Sequence, residues 1–126
     1  MASGNNAHAE GSNTTASGST SHAEGSNTTA SGSNSHSSGT QTIANHKSQF
    51  VFGEFNISDP STATASNRGT YIEIVGNGTA DNARSNARTL DFNGNESLNG
   101  NLIPMTTNSQ TIGTSTNRWK AVYIGT

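Results

Sequence analysis

His8-Ala9-Glu10-Gly11-Ser12-Asn13-Thr14-Thr15-Ala16-Ser17-Gly18 returns unchanged as His22 to Gly32, and a degenerate copy opens at His36-Ser37-Ser38-Gly39. The period is 14 residues, and a finer period of seven lies inside it. Glycine stands at 4, 11, 18, 25, 32 and 39, gives way to His46, and returns at Gly53. Two positions before each member stand Ala2, Ala9, Ala16, Ala23, Ala30, Ser37, Ala44 and Val51. A heptad invites a coiled coil, but that needs large apolar residues at two positions in seven, and glycine costs about 1 kcal/mol at each helical position. The pattern fits a β-solenoid instead. Two half-turns, each a short strand and a bend, make one 14-residue coil, and coils stack at the ~4.8 Å strand spacing. Alanine is expected to point into a thin interior, and glycine to supply positive φ at the bends. On this reading the repeat is carried by Ala9, Gly11, Ala16, Gly18, Ala23, Gly25, Ala30 and Gly32.

Composition narrows the function classes. The 126 residues carry a formal net charge of −2, 28% hydrophobic, 6% aromatic and 11% charged residues, 14 glycines and no cysteine. Of the 22 hydrophobic residues other than alanine, only Met1 and Ile43 precede Phe50, which excludes an ordinary globular core there. Such poverty reads as disorder in a chain without a period, because little burial stands against ~1–2 kcal/mol of backbone ordering per residue. Roughly four coils of alanine core bury too little alone, so lateral association is required. The lack of cysteine excludes a disulfide framework and a thiolate metal site. No apolar run approaches the ~20 residues of a membrane span, and the first residues lack the charged and apolar regions of a signal peptide. Six Lys and Arg, dispersed from Lys47 to Lys120, are too few and too scattered for a nucleic-acid binder.

The organisation expected is a repeat shaft over 1–53, a β-rich region over 54–103 and a short β segment over 104–126, all-β throughout. Phe50-Val51-Phe52-Gly53 exchanges small core residues for large ones, as at a cap and a hand-over to another domain. Residues 56–68 read as a polar loop. Thr70 to Val75 alternates and is rich in β-branched residues, a strand ended by Gly76-Asn77-Gly78. Leu90-Asp91-Phe92 and Glu96-Ser97-Leu98 flank Asn93-Gly94-Asn95, a hairpin with a type I′ turn expected at Asn-Gly. Ala80 to Thr89 has room for a short helical turn but lacks the apolar face of a helix.

Three segments carry a resemblance. The unit Ser21 to Gly32 resembles the left-handed parallel β-roll repeats of trimeric autotransporter adhesin heads and of many bacteriophage tail fibres. Gly76 to Glu96 is similar to a stretch common in phage and prophage tail fibres. Gln110-Thr111-Ile112-Gly113-Thr114 through Asn117-Arg118-Trp119-Lys120-Ala121-Val122-Tyr123 is similar to the segment that precedes their C-terminal intramolecular chaperone, with Ile112 and Thr114 departing from Leu and Ser. The resemblance implies a homotrimeric left-handed roll followed by a small trimeric β-rich region. It implies a virion tail fibre made in the host cytoplasm, whose partners are other tail proteins and a host cell-surface glycan or protein. It also implies that the chain is part of a longer protein or a matured product. The alternatives are a bacterial trimeric adhesin head, which shares the roll, and an ice-binding solenoid, for which Thr14-Thr15 and Thr28-Thr29 recur in register but form too short an array.

The inventory for chemistry is thin, so no catalytic residue and no cofactor is assigned. Glu54, Glu73, Asp81, Asp91 and Glu96 are the carboxylates from which a glycan-cleaving pair would have to come, and nothing in the sequence brings two together. Asp91 to Glu96 lacks calcium-loop spacing and reads as a turn. Gly76-Asn77-Gly78 fails the dinucleotide fingerprint at its third glycine. Asn13, Asn27, Asn56, Asn77 and Asn95 open glycosylation sequons of the kind chance supplies here. His8, His22 and His36 form a column that, facing a threefold axis, would meet as axial metal ligands. The plainer reading, preferred because a structural metal site normally has second-shell carboxylates and closed four-fold ligation, is a ladder bonded to backbone or to Ser and Thr. Glu10 and Glu24 read as solvated or hydroxyl-paired, and His46 as a defect in the glycine lattice. Trp119 and Tyr123 read as packing in a trimer core, or else as a sugar-stacking platform.

Overall fold

The computed structural model describes residues 1–126 and contains ten strands and no helix. Four five-residue strands, β1 (His8–Ser12), β3 (His22–Ser26), β5 (His36–Thr40) and β7 (Phe50–Glu54), alternate with three two-residue strands, β2 (Thr15–Ala16), β4 (Thr29–Ala30) and β6 (Ile43–Ala44). Beyond them lie β8 (Tyr71–Asn77), β9 (Asn86–Asp91) and β10 (Glu96–Leu98). Every strand of the repeat pairs in parallel with the equivalent strand of the next copy, so that His8 faces His22, Ala9 faces Ala23 and Thr15 faces Thr29. The result is a β-solenoid of about three turns, with the long strands in one sheet and the short strands β2-β4-β6 in another.

The interior is as narrow as the sequence implies, but alanine makes up only part of it. Ala16, Ala23, Ala30, Ala44 and Val51 are fully buried; Ala9, on the open first coil, is half-buried. Beside them stand columns of buried hydroxyls: Thr14, Thr28 and Thr42, and Ser21 and Ser35. Most return their hydrogen bonds to the coil itself. Ser21 Oγ donates to the Gly18 carbonyl and Ser35 Oγ to the Gly32 carbonyl, both at 2.7 Å, while Ser37 and Thr42 share a bond of 2.8 Å. A hydroxyl bonded this way is no burden to a thin core, because its desolvation is compensated within the same turn.

The glycines work differently from the expectation. Positive φ at the corners belongs to Asn6, Asn13, Thr20, Asn27, Asn34, Gln41 and Ser48, all between 53° and 60°. These form a second seven-residue lattice, and four of its members are asparagine, the non-glycine residue that best tolerates the left-handed region. Asn13 and Asn27, which read as chance sequons, are therefore corners. Gly25 does have φ of +108°, but inside β3, where a Cβ would also stand 2.1 Å from the Gly39 carbonyl oxygen. Gly18 has no positive φ and is required by close approach alone, since a Cβ there would meet the Gly32 carbonyl oxygen at 2.1 Å.

The sheet does not stop at Gly53. β8 adds in parallel to β7, with Val51 facing Ile74 and Gly53 facing Gly76, an offset of 23 residues in place of 14. The additional nine residues belong to the loop between β7 and β8, as the polar stretch 56–68 suggests. Ala44, Val51 and Ile74 form a small core with Tyr71 packed against it. β9 and β10 continue the sheet in antiparallel fashion, and β9 starts at Asn86, inside the stretch read only as lacking a helical face. The β9–β10 turn is not type I′. Only Gly94 has positive φ, Gly94 N donates to the Asp91 carbonyl, and Asp91 N donates to the Asn95 carbonyl, giving a three-residue loop with one left-handed position.

Side-chain amides close the last coil. Asn56 follows the Thr14, Thr28, Thr42 column, and its amide accepts from Ile43 N at 2.8 Å and donates to the Ile43 carbonyl at 3.1 Å, imitating a further strand on β6. Asn86 treats Ile57 in the same manner. An edge satisfied by side chains is closed to further backbone pairing.

The β segment expected over 104–126 does not form. Residues 99–126 contain no strand and, Gly113 excepted, every residue from 99 to 126 is exposed. Its backbone adds to no strand: Asn99 N donates to the Ala87 carbonyl and Thr114 N to the Asn117 carbonyl, and the outer edge of β10 stays open.

Ala30→Leu should overpack the interior and cost about 1–3 kcal/mol, whereas the outward Thr29→Leu should leave stability nearly unchanged. Thermal unfolding of the two variants checks this, and equal melting temperatures would contradict an inward Ala30.

Candidate functional site

The outer face of the large sheet carries one continuous ladder. The His8 and His22 rings lie 4.8 Å apart, His22 and His36 4.5 Å, and His36 and Phe50 4.9 Å. The spacing follows from the parallel register, since residues facing across a rung stack at the strand separation. Glu10 and Glu24, two residues along on the same face, reach back to this column. His8 Nε2 lies 3.4 Å from Glu10, His22 Nε2 3.7 Å from Glu10, and His36 Nε2 3.2 Å from Glu24. The carboxylates therefore lie beside imidazoles, a neighbourhood that period-two geometry makes legible, while Glu10 stays solvated with 56% of its side chain exposed and Glu24 also bonds the Ser38 hydroxyl, as the sequence suggests. The hydrogen bond with His36, and after it one with Ser38, holds the Glu24 carboxyl below the usual carboxylate range.

His46 is no defect. The glycine column ends at this position, with the His46 carbonyl stacked over Gly32, and the ring is buried under the loop that follows. Its Nε2 lies 3.2 Å from the Ser61 carbonyl. Beside it, Asp59 is 3% exposed and accepts from Gln49 Nε2, Ser61 N, Thr70 N and Tyr71 N at 2.7–3.1 Å. A buried carboxylate with four donors is a structural anchor that fixes both ends of the loop. Sequence reasoning missed Asp59 and Gln49. The available signal was that Gly18 and Gly32 give way to His46, and Ser21 and Ser35 to Gln49, in the same coil.

Among the five carboxylates considered for catalysis, two do come together: Glu73 and Glu96 both pair with Arg88. The Arg88 guanidinium between them links β8, β9 and β10 across strands. Asp81 pairs with Arg84, whose Nη1 also donates to the carbonyls of Gln41 and Asn56. Asp91 organises its turn, accepting from Asn93 N, Asn95 N and Asn95 Nδ2, and the bonds from Asn95 lead in holding its carboxyl below the usual range.

Trp119 and Tyr123 are not packed within the chain; they are 70% and 96% exposed. Leu102, Ile103, Met105, Ile112, Val122 and Ile124 are exposed with them. The largest concavity, about 490 Å³, lies among Leu102, Ile103, Met105 and Ile112. No helix is long and apolar enough to cross a membrane. No protein-family model, curated protein or solved structure matches the chain.

The depressed Glu24 sets a pH dependence. Its stabilising contribution is present above the ordinary carboxylate range and lost as pH falls through its own lower value. Wild type should therefore lose more stability between neutral pH and pH ~3 than Glu24→Gln, which has no carboxylate to protonate. Chemical denaturation at several pH values measures the difference; parallel curves would contradict the His36–Glu24 bond.

Proposed function

We propose that this chain is a segment of a homotrimeric phage or prophage tail fibre, a structural and host-attachment component whose coils form a stiff shaft. The observation that carries the reading is the contrast along the molecule. A solenoid with six fully buried hydrophobic residues, Ile74 the largest, runs into a stretch where eight large apolar residues between Leu102 and Ile124 stand exposed. Exposed apolar surface on that scale marks an interface. Three copies side by side would cover it and would give the 104–126 backbone the partners it lacks in one chain. In this reading the roll is left-handed with 14-residue coils, Trp119 and Tyr123 pack between chains, and threefold symmetry presents three copies of a glycan- or protein-binding surface to the host. The shaft transmits load through ladder hydrogen bonds, and the other tail proteins anchor it to the virion.

Sedimentation equilibrium is expected to give three times the 12.9 kDa chain mass, with the tryptophan fluorescence of Trp119 shifted to the blue of an exposed indole. A folded monomer at micromolar concentration would overturn the architecture. Attachment is tested by binding of the full chain to bacterial surface glycans on an array.

A further inference from the structure

We propose that His8, Glu10 and His22 form a divalent transition-metal site of the Zn²⁺ type, which ties the first coil of the solenoid to the second. One ligand atom from each of the three residues falls in a group within 4.8 Å of one another. Two of the separations, 3.4 Å from His8 Nε2 and 3.7 Å from His22 Nε2 to the two oxygens of Glu10, approach the ~3.3 Å edge of a tetrahedron with metal–nitrogen bonds of ~2.0–2.1 Å. A simple ion pair does not account for the geometry. His22 Nε2 is a buried atom with no hydrogen-bond partner, aimed at the carboxylate from just beyond bonding distance. An ion between the two satisfies both, because neutral imidazole and carboxylate each offer it a lone pair.

The register makes the site. β1 supplies His8 and Glu10 from one face, two residues apart, and β3 supplies His22 from the facing rung. The next coil does not repeat it, because His36 and Glu24 already close to 3.2 Å and His22 Nε2 is committed below. His8 and Glu10 keep side-chain exposures of 62% and 56%, which leaves the fourth position to water. Two imidazoles and one carboxylate select a borderline ion over Ca²⁺ or Mg²⁺, which take oxygen ligands. All three ligands belong to one chain, so the site does not rest on the fibre reading.

The test is calorimetric titration of the tag-free full chain with ZnCl₂, with Co²⁺ absorption as a second readout. One ion per chain is expected, with the visible bands of a four-coordinate Co²⁺ site. Glu10→Gln and His22→Ala should each weaken binding by at least about tenfold, a loss already seen for changes one shell further out, and His36→Ala should bind as wild type does. Glu10 is exposed, so an unchanged circular dichroism spectrum in Glu10→Gln separates a lost site from a lost fold. No saturable binding up to millimolar Zn²⁺, or undiminished binding by both variants, would overturn the proposal.

Discussion

Adjacent coils approach so closely at their glycines that a Cβ on Gly18 or Gly25 would lie 2.1 Å from a carbonyl oxygen of the next coil. Everything else in the solenoid is subordinate to that approach. It keeps the coils at strand spacing, which lets the parallel ladder form, and it keeps the cross-section so thin that only Ala, Ser, Thr and Val fit inside. It also fixes the register. A slip of one residue would place Cβ atoms where the carbonyls now stand and turn the alanine face outward. The histidine ladder, the Glu10 and Glu24 contacts and the corner asparagines all inherit their repetition from it.

The end of the repeat obeys the same constraint by relaxing it. Once no further coil of the glycine lattice follows, the glycine position can hold His46, the serine position Gln49 and the threonine position Asn56. These larger side chains occupy the space and the hydrogen-bonding positions a further coil would have used. Asn56 pairs with both backbone groups of Ile43, and Asp59 gathers four donors across the loop. The sheet then continues through β8 with the Gly53–Gly76 contact preserved, so the last glycine of the lattice still has its facing partner despite nine additional residues.

How much of this was legible depends on whether a residue repeats. The alanine and glycine lattices, the parallel coils and the histidine column follow from identity at fixed spacing, and the strand at 71–77 from alternation. The corner lattice was hidden because its seven positions hold four residue types with one shared conformation and no shared appearance. The imidazole neighbours of Glu10 and Glu24 were hidden by treating the repeat as a line of positions and not as a face, on which residues two apart are neighbours. Asp59 and Gln49 are ten residues apart at a single junction, and no period announces them. The strand expected at the C-terminal end differs in kind, since a strand is a property of pairing and Arg118–Tyr123 pairs with no strand of this chain.

Residue-resolved amide hydrogen exchange tests the stacked-coil account most directly. The amides of Thr15, His22, Asn27 and Thr29 donate to carbonyls of neighbouring coils, whereas those of Asn5 and Ser19 have no acceptor. The account predicts that the first group exchanges slowly and as one cooperative set, and that Asn5 and Ser19 exchange close to the rate of an open chain. Uniformly fast exchange from His8 to Glu54 would contradict it.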